Sequence, residues 1–169
     1  MTDRDAEFGE YFDSRAVVMR RTAYLLCNGD WHRAEDLVQT TLIKIYAAWP
    51  RLRRSGGLDG YARTVMVRAA IDESRKGFRR RENLVDQLPE VGVAARPVED
   101  VLDVRRALAT LPAGQRAVVV LRYWEDMSVA ETAAILGRSE GTVKSQAAKG
   151  MAMLRTVLGA NHDAAGGRA

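Results

Sequence analysis

The sequence is short of the residues that build disulfides, metal sites and membrane spans. Cys27 is the only cysteine, so an internal disulfide and a multi-cysteine zinc site are excluded. Only His32 and His162 could add imidazole ligands, and no metal-ligating cluster is visible. Apolar runs such as 117–121 stay far below the ~20 residues of a membrane span. We therefore expect no metal, no other cofactor and no membrane insertion.

Catalytic motifs and export signals are also missing. The chain has no glycine-rich phosphate loop, nucleophile elbow or paired acid–histidine motif. An enzyme is therefore the least favoured class, and we expect no small-molecule substrate. The N-terminal residues are acidic and lack the apolar segment of a secretion signal, which predicts a cytoplasmic protein.

The chain does have enough apolar residues for a core, and its charge is unevenly distributed. Its 169 residues suffice for one ordinary domain or two small ones, and 47% are hydrophobic. Residues 51–81 hold ten bases against three acids, whereas residues 82–104 hold six acids against one base. Such blocks indicate DNA-facing surfaces separated by a tether, although solvated helix faces are the alternative.

Hydrophobic periodicity predicts helices and no strands. The Asn-Gly-Asp sequence at 28–30 separates the first two helices, with Asp30 as a cap, and Pro50 is expected to end the second. Pro112 is expected to start a helix that reaches about Trp124. The predicted fold is all-α, with two small helical domains at 1–81 and 101–158, a flexible acidic linker at 82–100, and a disordered tail at 159–169.

Residues 128–155 have the pattern of a helix-turn-helix. Ser128 and Glu131 form a capping box, Gly137 stops the first helix, and Ser139 can cap the second. The second helix carries small and basic residues opposite its apolar stripe, which suits insertion into the major groove. An ordinary helical hairpin with a solvated outer face is the alternative. The predicted stripe is Val143, Ala147, Met151 and Leu154, and the opposite face is Ser145, Ala148, Lys149 and Ala152, flanked by Lys144 and Gln146.

Four blocks, in this order, resemble the extracytoplasmic-function sigma factors of the sigma-70 family, most of all their actinobacterial SigE-type branch. The first two blocks are 34–42, AEDLVQTTL, and 61–76. They are similar to the polymerase-binding helix and the promoter-melting helix of a sigma-2 domain. The other two blocks, 111–136 and 141–145, are similar to the start and the −35 recognition helix of a sigma-4 domain.

The resemblance implies a non-catalytic protein that binds core RNA polymerase and directs promoter-specific transcription initiation. Core RNA polymerase and promoter DNA are its implied partners, and an anti-sigma factor is a common inhibitor of such proteins. Asp36, Gln39 and Thr40 would face the clamp helices of the largest polymerase subunit.

The resemblance also implies where the −10 element is bound. The segment 51–60 matches the family's loop that captures a flipped base, with Leu58 and Asp59 as candidate pocket walls. Arg68 stands where the family usually has asparagine, which favours a phosphate contact there. Trp49 and Tyr61 are favoured as core residues over stacking platforms. The predicted −10 contacts are Leu58, Asp59, Arg63, Arg68, Arg75 and Lys76.

The −35 element would be bound by the second helix of the helix-turn-helix. Arg138 and Ser139 are expected to hold phosphates at its N-terminus, and Lys144, Ser145 and Lys149 to contact base edges. Thr142 and Ala148 complete the predicted contacts, the latter through a thymine methyl. Gly150 should cost about 1 kcal/mol of helix stability, so the helix would be stabilised partly by DNA.

Two further functions fit parts of the chain. A simple helix-turn-helix regulator would need only the C-terminal domain, and it leaves residues 34–49 and 51–81 without a role. A degenerate sigma factor that only titrates an inhibitor is disfavoured by the intact basic surfaces.

Overall fold

The computed structural model describes residues 2–83 and 99–166, with side chains over 2–77 and 104–160. These residues form helices and no strand, which confirms the predicted all-α class. The predicted linker lies mostly outside the described residues. The helices are α1 (Asp3–Leu26), α2 (Trp31–Ser55), α3 (Leu58–Asn83), α4 (Glu99–Thr110), α5 (Ala113–Val119), α6 (Val129–Leu136) and α7 (Glu140–Gly166), and α5 continues into a π-helical turn (Val120–Trp124).

The turn between α1 and α2 forms as the sequence predicts. Asn28 and Gly29 both adopt left-handed backbone, with φ of 59° and 73°. The chain therefore reverses within a few residues, and the Asp30 carboxylate accepts from the Arg33 N–H at 3.1 Å. This bond satisfies one of the free N–H groups at the start of α2.

The predicted end of the second helix at Pro50 is wrong, because α2 continues to Ser55. A proline inside a helix has no N–H to donate to the carbonyl one turn back, which here belongs to Tyr46. The Arg4 guanidinium donates to that carbonyl instead, and it lies 4.0 Å from the Tyr46 ring centroid. Helix α1 thus supplies a hydrogen bond that the proline cannot make.

The predicted loop at 51–60 is also wrong. Helix α2 ends at Gly56, whose φ of 68° places it in the left-handed region that favours glycine. Only Gly56 and Gly57 separate α2 from α3, which begins at Leu58. Leu58 and Asp59 therefore lie in the first turn of α3.

The N-terminal helices and the C-terminal helices share a hydrophobic core. Ile45 and Val67 are fully buried in it, and Leu121 from the π-helical turn is buried in the same cluster. Ile135 of α6 also packs there. The apolar surfaces of the two units, α1–α3 and α4–α7, are thus in direct contact.

The helix-turn-helix of α6 and α7 matches the predicted pattern. The Glu131 N–H donates to the Ser128 hydroxyl at 3.1 Å, and the Ser128 N–H donates to the Glu131 carboxylate at 2.7 Å. Gly137 ends α6 with a φ of 62°. Of the predicted stripe, Val143, Ala147 and Leu154 are buried and Met151 is half-buried. Helix α7 then continues to Gly166, through residues predicted as a disordered tail.

Gly150 is buried where α7 crosses α5, which explains its presence in a helix. A Cβ atom at this position would lie 2.8 Å from Val119 Cγ2. The absent side chain therefore permits close approach of the two helices. Helix propensity alone, the basis of the expectation of DNA-dependent stability, does not reveal this packing role.

Gly150→Ala is expected to destabilise the protein by up to about 2 kcal/mol, because an overpacking cost of about 1–3 kcal/mol is only partly offset by the ~1 kcal/mol gained in helix propensity. Gly159→Ala is the matched control in the same helix, since nothing lies within 4 Å of its added Cβ. The control should be neutral or slightly stabilising. Urea denaturation followed by circular dichroism measures both, and equal effects would contradict the packing role.

Candidate functional site

The predicted polymerase-binding residues lie together on the outer face of α2. Asp36, Gln39 and Thr40 are all exposed, and their spacing of three and four residues places them on one side of the helix. The opposite side is buried against α1 and α3, through Leu37, Val38, Thr41, Ile45 and Trp49 among others.

The same face carries an apolar residue that the sequence reasoning missed. Ile43 follows Asp36 by seven residues, so it lies between the predicted contacts, and it is 70% exposed. A single exposed apolar side chain is ordinary on a protein surface, so the significance of Ile43 depends on its place among the predicted contacts. The seven-residue spacing from Asp36 is visible in the sequence and could have identified Ile43 as part of this face. We call Asp36, Gln39, Thr40 and Ile43 the docking face.

Four of the predicted −10 contacts are cations along α3. Arg63 and Arg68 lie beside the C-terminal unit and contact it: Arg63 Nε donates to Glu125 at 3.0 Å, and Arg68 Nε donates to the Ile135 carbonyl at 3.1 Å. Arg75 and Lys76 are exposed further along the helix. We call Arg63, Arg68, Arg75 and Lys76 the α3 cation row.

Asp59 and Leu58, the other predicted −10 contacts, are half-buried at the start of α3. The Asp59 carboxylate accepts from Arg15 at 2.6 Å and from the Tyr11 hydroxyl at 3.3 Å. Burial, together with the adjacent Asp59 charge, raises the pKa of Tyr11 to about 12. Leu58 packs against the core. Both residues join α3 to the core, and a base pocket there stays a prediction.

The aromatic residues near this segment have the predicted core positions. Trp49 is 4% exposed, and its ring contacts Phe8 and Tyr11 edge to face at centroid distances of 5.4 and 5.6 Å. Tyr61 is half-buried against the core, with the Arg51 guanidinium 5.9 Å from its centroid. Neither ring stands free for a base to stack upon.

The predicted −35 contacts lie on the solvent side of α7 and at its start. Thr142 is half-buried, and its N–H donates to the Ser139 hydroxyl at 3.1 Å, which caps the helix. The remaining predicted contacts are exposed, namely Arg138, Ser139, Lys144, Ser145, Ala148 and Lys149. Within the part of the chain that the structure describes, the three cations of this set form no ion pair. This α7 face is therefore accessible and positive.

The described residues provide neither a metal-binding cluster nor a membrane-spanning helix. Over residues 2–83 and 99–166, no group of three His, Cys, Asp or Glu side chains could hold a metal ion. None of the helices described here combines the length and apolarity needed to cross a membrane. Burial raises the pKa of the Cys27 thiol to about 11, so that the thiol is protonated near neutral pH.

Both halves of the chain match models of known protein regions. Residues 14–81 match the model for sigma-70 region 2, and residues 102–154 match the model for sigma-70 region 4. The first contains the docking face and the α3 cation row, and the second contains the helix-turn-helix.

Relatives of this kind align along most of the chain. It is 38% identical over 158 residues to the RNA polymerase sigma-E factor of Streptomyces avermitilis, covering 90% of this chain and 85% of the relative. It is 34% identical over 158 residues to the ECF RNA polymerase sigma factor SigL of Mycobacterium tuberculosis, covering 87% and 86%.

Solved structures show the same arrangement of helices. The sigma factor RpoE of Bartonella quintana, in complex with the anti-sigma factor NepR, superposes with a TM-score of 0.75 at 28% identity, over 90% of this chain and 96% of that one. CnrH, in complex with the cytosolic domain of CnrY, superposes with a TM-score of 0.65 at 22% identity, over 92% and 90%, and shows the shared fold. Together with the two matched regions and the relatives, this similarity shows that the chain belongs to the extracytoplasmic-function group of sigma-70 RNA polymerase sigma factors.

Proposed function

We propose that three surfaces of this alternative sigma factor divide the work of directing transcription. The docking face of α2 binds core RNA polymerase. The α3 cation row holds the −10 strand while the duplex opens, and the α7 face contacts the −35 element as duplex DNA. The chain itself supplies recognition and strand opening, and the polymerase supplies the chemistry.

The observation that carries the proposal is the geometry of the α7 face. Lys144, Ser145 and Lys149 project from a capped helix whose opposite stripe is buried. This arrangement places small and basic side chains where a helix enters the major groove, and each good base contact discriminates by about 1–3 kcal/mol.

The α3 cation row has different chemistry from the α7 face. Its cations are spaced along a long helix and are all arginine or lysine, without the capped N-terminus that the α7 face has. Cations in such a row suit the backbone of a single strand. Two modest DNA surfaces held on one polymerase gain from effective concentration, so neither needs to bind DNA tightly alone.

The proposed partners follow from these surfaces and from the relatives. Because its proposed partners are core RNA polymerase and promoter DNA, the protein is proposed to act in the cytoplasm. An anti-sigma factor is proposed as a further partner, because the structurally similar RpoE was solved with an anti-sigma factor bound. Nothing in the proposal requires catalysis by this chain.

Reconstitution with sigma-free bacterial core RNA polymerase tests the proposed function. Run-off transcription on genomic fragments should give discrete start sites that share two upstream sequence elements. Absence of association with core polymerase would favour the simple regulator or the adaptor. Tight, sequence-specific promoter binding by the isolated chain would contradict the proposal that the α3 cation row and the α7 face each bind DNA weakly.

A further inference from the structure

A cleft lies where the start of α2, the second half of α3 and the turn between α4 and α5 meet. Its volume is about 570 Å³, which is within the range of pockets that hold small ligands. No residue of the docking face or of the α7 face lines it, and of the α3 cation row only Arg75 does so. The cleft is therefore a feature that the proposed contacts with polymerase and promoter do not use.

Three arginines give the cleft its charge. Arg33 of α2, Arg75 of α3 and Arg116 of α5 line it, together with the polar side chains of Asn28 and Ser74. None of the described residues that line it is acidic. Guanidinium groups bind phosphates through paired N–H donors, and three of them around one space favour an anionic ligand. We call this space the arginine cleft.

The buried arginine of this cleft carries a charge without an opposite partner. Arg116 is 6% exposed, and within the described part of the chain its guanidinium forms no ion pair with a carboxylate. Three of its five N–H groups donate to backbone carbonyls. Burial, with a smaller effect of the nearby Arg33 charge, lowers the pKa of Arg116. Buried charges are ordinarily paired, so an anion in the cleft would supply the counter-charge.

The rest of the cleft has a different character. Ala109, Leu111 and Pro112 provide an apolar wall, and Asn28 provides an amide that can both donate and accept hydrogen bonds. A single phosphate ion would fill only a small part of about 570 Å³. A nucleotide combines phosphates with a flat, largely apolar base that carries polar edges, and this combination matches the two kinds of wall.

We propose that the arginine cleft binds a small phosphorylated ligand of the size of a nucleoside diphosphate, whose phosphate oxygens accept hydrogen bonds from Arg33, Arg75 and Arg116. The ligand is bound and not transformed. The site is separate from the docking face and the α7 face, so binding can be measured on the full chain without polymerase or promoter DNA. A failure of this proposal would leave the proposed sigma-factor function untouched.

Ala109→Glu tests the site by adding a carboxylate to its wall at an exposed position of α4. The probe is ADP without divalent cations, titrated into the full chain by isothermal titration calorimetry. The added charge repels the phosphates and pairs with the arginines, so the affinity for ADP should fall at least about tenfold. Ala134→Glu is the matched control, because it makes the same change at an exposed position of α6 outside the cleft. It should change the affinity less than about twofold.

Two further variants change Arg33 itself and decide the matter if Ala109→Glu fails to fold by circular dichroism. Arg33→Ala should weaken ADP binding about tenfold, whereas Arg21→Ala, at an exposed position of α1, should change it less than about twofold. Glu73→Gln removes the carboxylate that lies 3.8 Å from the Arg33 guanidinium, so it should strengthen binding about two- to threefold. Equal effects of Arg33→Ala and Arg21→Ala would overturn the proposal.

Inorganic pyrophosphate and a single DNA strand of about 20 nucleotides distinguish the sources of the phosphate. ADP should bind more tightly than pyrophosphate, and at ten times its Kd it should raise the melting temperature of the full chain by about 3–6 °C. Equal affinities for ADP and pyrophosphate would overturn the assignment to a nucleotide-sized ligand. If the strand binds, neither small anion does, and Ala109→Glu weakens the strand, the cleft belongs to DNA and the proposal fails.

Discussion

Asp36→Arg is expected to lower the affinity for core RNA polymerase at least about 100-fold, because it reverses the charge of the one acid in the docking face and places a longer side chain at the proposed contact. Folding should be unaffected, since Asp36 is exposed and, among the described residues, makes no ion pair. Co-migration with core polymerase in gel filtration, with biolayer interferometry for the affinity, measures the loss.

Asp13→Arg is the matched control for this prediction. Asp13 is an exposed acid of α1 outside the docking face, so the substitution changes the net charge equally. It should leave the affinity within about threefold of the parent chain. Equal losses for the two variants would mean that net charge, and not the docking face, determines association.

Lys149→Ala is the counterpart of Asp36→Arg on the α7 face. It should leave polymerase binding unchanged and weaken discrimination among −35 sequences by about 5- to 150-fold, the equivalent of one base contact. Arg155→Ala removes an equal charge from another exposed position of α7 and serves as the control. A simple operator-binding regulator would show sensitivity to Lys149→Ala and none to Asp36→Arg.

Arg116→Ala is expected to cause the largest loss of stability, about 3–5 kcal/mol of unfolding free energy. Arg116 is 6% exposed, and its guanidinium donates to three carbonyls, those of Leu108 at 3.0 Å, Leu111 at 2.6 Å and Leu26 at 3.4 Å. These bonds hold the turn between α4 and α5 and tie it to the end of α1. Truncation removes this donor from the Leu111 and Leu26 carbonyls, whereas the Leu108 carbonyl keeps the N–H of Leu111 at 3.1 Å.

Chemical denaturation followed by circular dichroism checks this value. Arg106→Ala, at an exposed position of α4, is the control and should change stability by less than about 0.5 kcal/mol. A loss below about 1 kcal/mol for Arg116→Ala would show that water replaces the guanidinium at these carbonyls.

The features that the sequence predicted well depend on residues close together in the chain. The capping box of Ser128 and Glu131 needs partners three residues apart, and the left-handed end at Gly137 needs only one residue without a Cβ. The buried stripe of α7 follows from helical spacing, and so does the shared side of Asp36, Gln39 and Thr40. The blocks that carry the family resemblance are short segments of the same kind.

The wrong predictions concern residues whose own effect on a helix is overridden by a contact from a distant segment. Pro50 should end a helix by its own chemistry, yet α2 continues because Arg4 of another helix donates to the freed carbonyl. Gly150 weakens an isolated helix, but here it permits contact with Val119. In both cases the deciding atom belongs to a residue more than thirty positions away in the sequence.

By itself, then, the sequence determined the helical class, the helix-turn-helix and the spacing of the exposed contact residues, since these depend on interactions within one or two helical turns. Only the tertiary structure decided which of the predicted cations are accessible. Arg63 and Glu125 are 62 positions apart, and no local pattern predicts their meeting, because it depends on how two packed units bury their apolar faces against each other.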